Sequence, residues 1–227
     1  RIVSDSVQHL AMSKAVQGAV IFLHGSGDSG HGAEAWISDV DPKFVVGLRD
    51  AGIKIIFPSA KVRPYTISGG ELVPVWHDRQ SLAEDAEEDG VGLAETGRAI
   101  ADVVAGLVES GIPQSKIVLG GFSQGGGTAL YTALGSDTAT QFAGVFSMSS
   151  WVTSKSQMWA RVEQMRERAQ ASPPVWMTHG ANDHMIDVRW GEATRDQLVA
   201  AGAKVEWFLE PAIGHAPGPL GLASLQR

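Results

Sequence analysis

The chain has 227 residues, 44% of them hydrophobic and 19% charged, with 27 glycines, no cysteine and a net charge of −7. That length suits one large domain with a sizeable core, and the acidic balance argues against nucleic acid or an anionic membrane face as the main partner. Without cysteine there is no disulfide, thiolate metal site or cysteine nucleophile, and the longest apolar runs, about five residues, fall far below the roughly 18 of a membrane span.

Arg1 is not an initiator residue, so the chain reads as trimmed. Residues 2–12 are consistent with an antiparallel edge hairpin. The first firm element is the run 19–23 (AVIFL), a buried strand, followed by a glycine-rich loop from His24 to Gly32. Residues 42–51 form a helix closed by Gly52, and 53–57 (IKIIF) form the second strand. Residues 58–90 resist regular assignment, and an irregular stretch that long in an α/β domain is often functional. Its acidic run 84–89 lacks the alternating ligands and central glycine of a calcium loop, and reads instead as a solvated turn favoured by the dipole of the next helix. That helix, 91–110, places Ile100, Val103, Val104, Leu107 and Val108 on one face before Gly111 and Pro113 end it. There follow a strand at 116–120, a helix at about 126–134, a strand at 143–148 and an irregular stretch at 149–157. A strand at 175–178, a helix at 190–201 and a strand at 204–209 complete the chain. Short continuous apolar runs are the mark of strands buried on both faces, and strands alternating with helices imply right-handed βαβ units in a mostly parallel sheet.

The chemistry concentrates at Gly121-Phe122-Ser123-Gln124-Gly125, a G-x-S-x-G directly between a strand and a helix. A turn that tight forces its central residue into strained geometry and demands small neighbours. It would hold the Ser123 oxygen at the carboxyl end of the sheet, where open α/β sheets bind ligands and where the next helix points its amides. Without such strain Ser123 would merely cap the helix.

A serine nucleophile needs a base. In the order Ser, acid, His, the histidines left downstream are His179, His184 and His215. His179 closes a strand and reads as packing; His184 adjoins Asp183 and so points away from it. His215 follows the last strand by a short loop and is the best base. Asp183 and Asp187 are both placed to orient it. Asp183 lies nearer the strand end and is preferred, while Asp187 also fits an N-cap for the helix around Trp190.

Gly25, Gly27 and Gly30 spell G-x-G-x-x-G after a strand, the pattern of a dinucleotide loop. The acid that should close the second strand is missing there, since Pro58-Ser59 follows 53–57. The competing reading is an oxyanion loop, in which the backbone N–H groups of Ser26 and Gln124 are the two donors. His24, Asp28 and His31 could be taken as metal ligands, but no second cluster matches them.

Residues 22–32, 110–126, Trp76-His77-Asp78, and His179-Gly180 followed by Asp183 together resemble the acyl-protein thioesterases and lysophospholipase-like carboxylesterases, over about residues 19–215. The resemblance implies an α/β-hydrolase fold, with Ser123, Asp183 and His215 as a triad and Ser26 and Gln124 as oxyanion donors. Two departures bear on substrate. Ile186-Asp187 stands where the family's acid loop continues into Val-Pro, and His77 stands where it has an apolar aromatic.

The expectation is therefore a single α/β-hydrolase domain over residues 1–227, with helices on both faces of the sheet and no separate lid domain. It would cleave carboxylic esters or thioesters through an acyl-enzyme, need no cofactor or metal, and act in the cytoplasm on an acylated protein or small ester, with a weak homodimer as its oligomeric form. Trp76 is the candidate for the acyl-chain wall. A nucleotide-binding oxidoreductase and a non-catalytic hydrolase-like interaction protein are the alternatives from other classes.

Overall fold

The computed structural model describes residues 16–135 and 142–225, so the hairpin expected at 2–12 lies outside the described residues. In chain order the elements are β1 (Gly18–Leu23), α1 (Gly30–Val40), α2 (Pro42–Asp50), β2 (Ile53–Ile56), β3 (Val62–Tyr65), β4 (Glu71–Pro74), α3 (Gly90–Glu109) and β5 (Ile117–Phe122). They continue with α4 (Gln124–Gly135), β6 (Gly144–Met148), α5 (Met158–Glu167), β7 (Val175–Gly180), α6 (Val188–Ala200), β8 (Val205–Glu210) and α7 (Pro219–Leu225).

The six apolar runs form one sheet in the order β2-β1-β5-β6-β7-β8, every neighbouring pair parallel. Side chains of β1 alternate between its faces. Ala19, Ile21 and Leu23 pack with Ile100 and Val104 of α3, Leu130 of α4 and Val162 of α5, while Val20 and Phe22 pack with Ile37 of α1, Phe44 of α2 and Leu222 of α7. Burying each of the larger of these side chains stabilises the fold by about 1.5–3 kcal/mol. The chain leaves β1 for β2 on one side and returns to β5 on the other. The carboxyl ends of β1 and β5 thus flank a topological switch point, where open α/β sheets place ligands.

Four features differ from expectation. Residues 58–90 contain the antiparallel β3–β4 hairpin, which turns at Gly69 and Gly70 (φ 70° and 85°). It was hidden because each strand holds a proline, and because Val62 and Leu72 are exposed rather than alternating with polar neighbours. Helix α1 begins inside the glycine-rich loop, where Ser29 caps it by accepting from the Gly32 amide. Helices α5 and α7 also escaped the periodicity argument. Lastly, the edge strands β2 and β8 are only half-buried, because each lacks a neighbour on one side. The acidic run ends as expected at a helix start, with Asp89 capping α3 through the Gly92 amide. Among the described residues no helix is long and apolar enough to cross a membrane.

Candidate active site

Ser123 is the single residue between β5 and α4, and its φ of 53° lies in the left-handed region. For a non-glycine residue this costs about 1–3 kcal/mol and persists only where its surroundings over-determine it. Here they do. Its amide donates to the Met148 carbonyl at 2.8 Å, and a Cβ on Gly121 or Gly125 would collide with the Leu23 carbonyl oxygen. The elbow is locked against β1, and the first turn of α4 directs its amides toward the serine.

Three strands deliver the other groups. After β7 the chain turns through Asp183, whose Oδ1 accepts from the amides of Met185 (2.9 Å) and Ile186 (2.8 Å). Its Oδ2 is left to His215 Nδ1 at 2.8 Å, and His215 Nε2 lies 2.9 Å from Ser123 Oγ. A carboxylate only accepts, so Nδ1 carries the imidazole hydrogen and Nε2 presents its lone pair to the serine hydroxyl. The Phe122 ring packs against the imidazole with centroids 4.9 Å apart. The loops bearing the acid and the histidine are tied together by the Asn182 amide, which donates to the Ile213 carbonyl at 3.0 Å. Buried Glu210 anchors the far side by accepting from the Leu220 and Gly221 amides.

Asp187 lies elsewhere. It caps α6 through the Arg189 amide and pairs with the Arg189 guanidinium, which holds its carboxyl down at about 2. His184 makes no part of the relay. His179 is buried, as its strand-end position implied, yet it also touches the acid: its Nε2 lies 3.4 Å from Asp183 Oδ2 and donates to the Ile186 carbonyl at 3.0 Å.

At the end of β1, the amides of Gly27 and Asp28 are taken by Pro74 and Gly25 carbonyls, while those of Ser26 and Gln124 find no acceptor among the described residues. Below them His24 is fully buried. Its Nδ1–H donates to the Gly25 carbonyl (2.7 Å), its Nε2 accepts from the Ala60 amide (3.0 Å), and burial lowers its pKa, so it is a neutral brace with no lone pair left for a metal. Asp28 is engaged by the Ser29 amide and the Trp36 indole, and His31 is exposed. Among the described residues no three His, Asp or Glu side chains gather into a metal-binding group. The dinucleotide reading meets a similar obstacle, since Ser59 Oγ and Ser29 Oγ already occupy the Gly30 and Gly32 amides at the start of α1.

Trp76, expected as the acyl-chain wall, is 4% exposed, and its polar atoms are engaged within the protein. Its indole donates to the His24 carbonyl (2.8 Å), its amide donates to Gln124 Oε1 (2.9 Å), and Gln124 Nε2 donates to the His77 carbonyl (2.8 Å). The Gln124 side chain thus laces the elbow to the 76–77 segment. Gln124 thus has a side-chain role beyond its expected backbone one, and His179 a contact with the acid beyond its expected packing. The five-residue interval from His179 to Asp183, short enough for both to share one turn, was the available signal.

A sequence profile described as Phospholipase/Carboxylesterase matches residues 8–226. Acyl-protein thioesterase 1 of Cryptococcus neoformans is 36% identical over 199 residues, covering 86% of this chain and 79% of that protein. Lysophospholipase-like protein 1 of Mus musculus is 31% identical over 214 residues, covering 94% and 83%. In fold alone, the crystal structure of Zea mays acyl-protein thioesterase 2 superposes with a TM-score of 0.75 at 24% identity, over 93% of this chain and 92% of that one. With a strained serine at a strand–helix elbow and a profile match across nearly its whole length, the chain belongs to the phospholipase/carboxylesterase family of α/β-hydrolases.

Proposed function

We propose that the protein is a serine hydrolase that cleaves acyl esters and thioesters, with Ser123 as nucleophile, His215 as general base and Asp183 as its orienting acid. The observation that carries this reading is the continuous chain Ser123 Oγ–His215 Nε2 (2.9 Å) and His215 Nδ1–Asp183 Oδ2 (2.8 Å) at an elbow whose backbone is strained.

His215 Nε2 takes the hydroxyl proton as Ser123 Oγ attacks the acyl carbonyl, and Asp183 stabilises the imidazolium that results. The tetrahedral oxyanion lies between the Ser26 and Gln124 amides, and one such donor is typically worth about 2.7–4 kcal/mol of barrier. The imidazolium then protonates the departing alkoxide or thiolate. Water, deprotonated by the same His215, hydrolyses the acyl-serine and frees the acid. Trp76 acts through Gln124, as a positioning residue.

The substrate class we favour is an acyl thioester carried on a protein, supported by the acyl-protein thioesterase relative at 36% identity. The test is labelling by a fluorophosphonate probe beside hydrolysis of p-nitrophenyl esters and of an S-palmitoyl peptide. Wild type should label, and Ser123→Ala and His215→Ala should not. Equal labelling of Ser123→Ala overturns the nucleophile assignment. Turnover of acetate and butyrate esters with none of the palmitoyl peptide overturns the protein substrate and leaves a short-chain esterase.

A further inference from the structure

Arg79, on the segment following β4, is 9% exposed, and its guanidinium lies 4.1 Å above the centre of the Trp151 ring. Among the described residues it makes no side-chain hydrogen bond or ion pair. The carboxylates around it are committed elsewhere. Asp78 accepts from Thr66, Asp89 from the Asp78 and Gly92 amides, Glu87 pairs with Lys155, and Glu88 accepts from the Gln157 amide. Burial pushes the Arg79 pKa down to about 10, and beside it the His77 imidazole is held neutral, at about 3, by its own burial and by the Arg79 charge. A buried cation without a counter-charge is costly, and one aromatic face offsets only part of that cost. An anion at the open side of the guanidinium would offset that cost.

Space for one exists. Arg79 and Trp151 line a cavity of about 40 Å³, walled further by His77, Tyr131 and Gly127. A water-sized group needs ~10–15 Å³ of such space, so the cavity holds about three heavy atoms. That number fits the head of a carboxylate, whose remaining atoms leave through the open side of the cavity. The planar guanidinium fork suits the same group, gripping two oxygens in one plane. The buried Trp151 Nε1–H has no acceptor among the described residues. Glu87 and Glu88 at the rim repel a free anion in solution, so binding depends on the buried Arg79 rather than on the surface field.

We propose that this cavity is a carboxylate-binding subsite, in which the Arg79 guanidinium holds the two oxygens of a small carboxylic acid or of a carboxylate borne by a substrate. Its walls adjoin the segments that carry the candidate active site. Gly127 stands four residues beyond Ser123 on α4, and the His77 carbonyl receives the Gln124 side chain. Occupancy would therefore stiffen the segment that supports the Gln124 oxyanion donor. The second source of the carboxylate, a substrate, rests on the hydrolase reading of Ser123; the binding itself does not.

The experiment compares sodium propionate, its neutral isostere propionamide, and sodium chloride at matched ionic strength, read as the thermal midpoint of the wild-type protein and by calorimetry. Propionate should raise the midpoint saturably, by a few degrees. Propionamide and chloride should not, and Arg79→Gln, checked for folding by circular dichroism, should lose the response. Equal responses to propionate and propionamide in wild type overturn the proposal even if Arg79→Gln does not fold, as does an undiminished response in a folded Arg79→Gln. A second arm compares kcat/KM for mono-p-nitrophenyl succinate and p-nitrophenyl butyrate. A preference of about tenfold for the succinate that Arg79→Gln abolishes assigns the subsite to a substrate carboxylate. Saturable propionate binding without that preference assigns it to a free acid. Propionate binding in a protein that no fluorophosphonate labels keeps the subsite and removes the hydrolase reading.

Discussion

The Nε2 of His179 lies 3.4 Å from Oδ2 of Asp183, the same oxygen that accepts from His215 at 2.8 Å. Burial lowers the His179 pKa, so the ring is neutral and its Nε2–H is directed at the Ile186 carbonyl and, more distantly, at the carboxylate. It braces the acid loop without placing a full positive charge beside Asp183. His179→Leu nearly keeps the volume and loses that donor. It should lower kcat by about 10- to 100-fold with KM little changed, because small displacements of a positioned group carry penalties of that size. Steady-state kinetics on p-nitrophenyl acetate measure this, and a wild-type kcat would mean that the Met185 and Ile186 amides hold Asp183 unaided.

The two candidate acids, Asp183 and Asp187, should separate cleanly. Asp183→Asn presents an amide where Nδ1–H needs an acceptor, favours the wrong tautomer, and should reduce kcat by about 10³–10⁴-fold, as in other Ser-His-Asp sites. Asp187→Asn remains a competent N-cap and loses only the exposed pair with Arg189, so activity should stay within about twofold and stability within about 1 kcal/mol. Kinetics and urea denaturation of the two variants side by side decide the matter. A large kinetic loss in Asp187→Asn would reverse the assignment.

Gln124 bears two roles on one residue, since its backbone faces the proposed oxyanion and its side chain holds Trp76 and His77. Gln124→Glu can still accept from the Trp76 amide but leaves the buried His77 carbonyl without its donor. An unsatisfied buried polar group costs about 1–3 kcal/mol, and a fully buried carboxylate adds to that. The expected result is a destabilisation of at least that size in urea titrations, with kcat falling along with it.

Two glycine-to-alanine changes should have opposite signs. At Gly125 a Cβ would run into the backbone oxygen of Leu23 and come within 2.6 Å of that of His24, neither of which a rotamer change can relieve. Gly125→Ala should lose at least about 3 kcal/mol or fail to fold. At Gly97, within α3, nothing lies within 4 Å of the added carbon, so Gly97→Ala should gain about 0.5–1 kcal/mol from helix propensity. Thermal or urea denaturation of both tests the contrast.

His77 makes stability depend on pH. Its folded pKa, about 3, lies below the unfolded value of 6.5, because burial and Arg79 disfavour the imidazolium. Between those values the unfolded chain binds a proton that the folded chain refuses, so this contribution is whole above pH 6.5 and is lost as pH falls toward 3. At about 1.4 kcal/mol per pH unit the full effect is bounded near 5 kcal/mol. His77→Phe should flatten the decline in unfolding free energy across that window, and an unchanged slope would remove His77 as its cause.

Where the deciding interactions are local, they were legible in the sequence. A strand, a G-x-S-x-G turn and a helix lie within about twenty consecutive residues, and the need for small residues beside so tight a turn follows from that spacing. Chain order narrowed the base to three histidines and the place just after the last strand singled out His215, while the continuous apolar runs identified the six strands of the parallel sheet. The order of those strands and the choice between Asp183 and Asp187 rest on contacts between distant residues. His215 and Asp183 are 32 positions apart, and His215 and Ser123 are 92 apart. The burial of Trp76 and the lacing by Gln124 belong to the same class, since nothing within a turn or two of those residues specifies them, whereas the β3–β4 hairpin is local and is hidden by its prolines and exposed apolar positions. Sequence by itself determined which residue types stand at the carboxyl ends of the strands. Only the tertiary structure decided which lone pair faces which proton, because hydrogen bonds depend on angles and tenths of an ångström that packing sets after the backbone has closed.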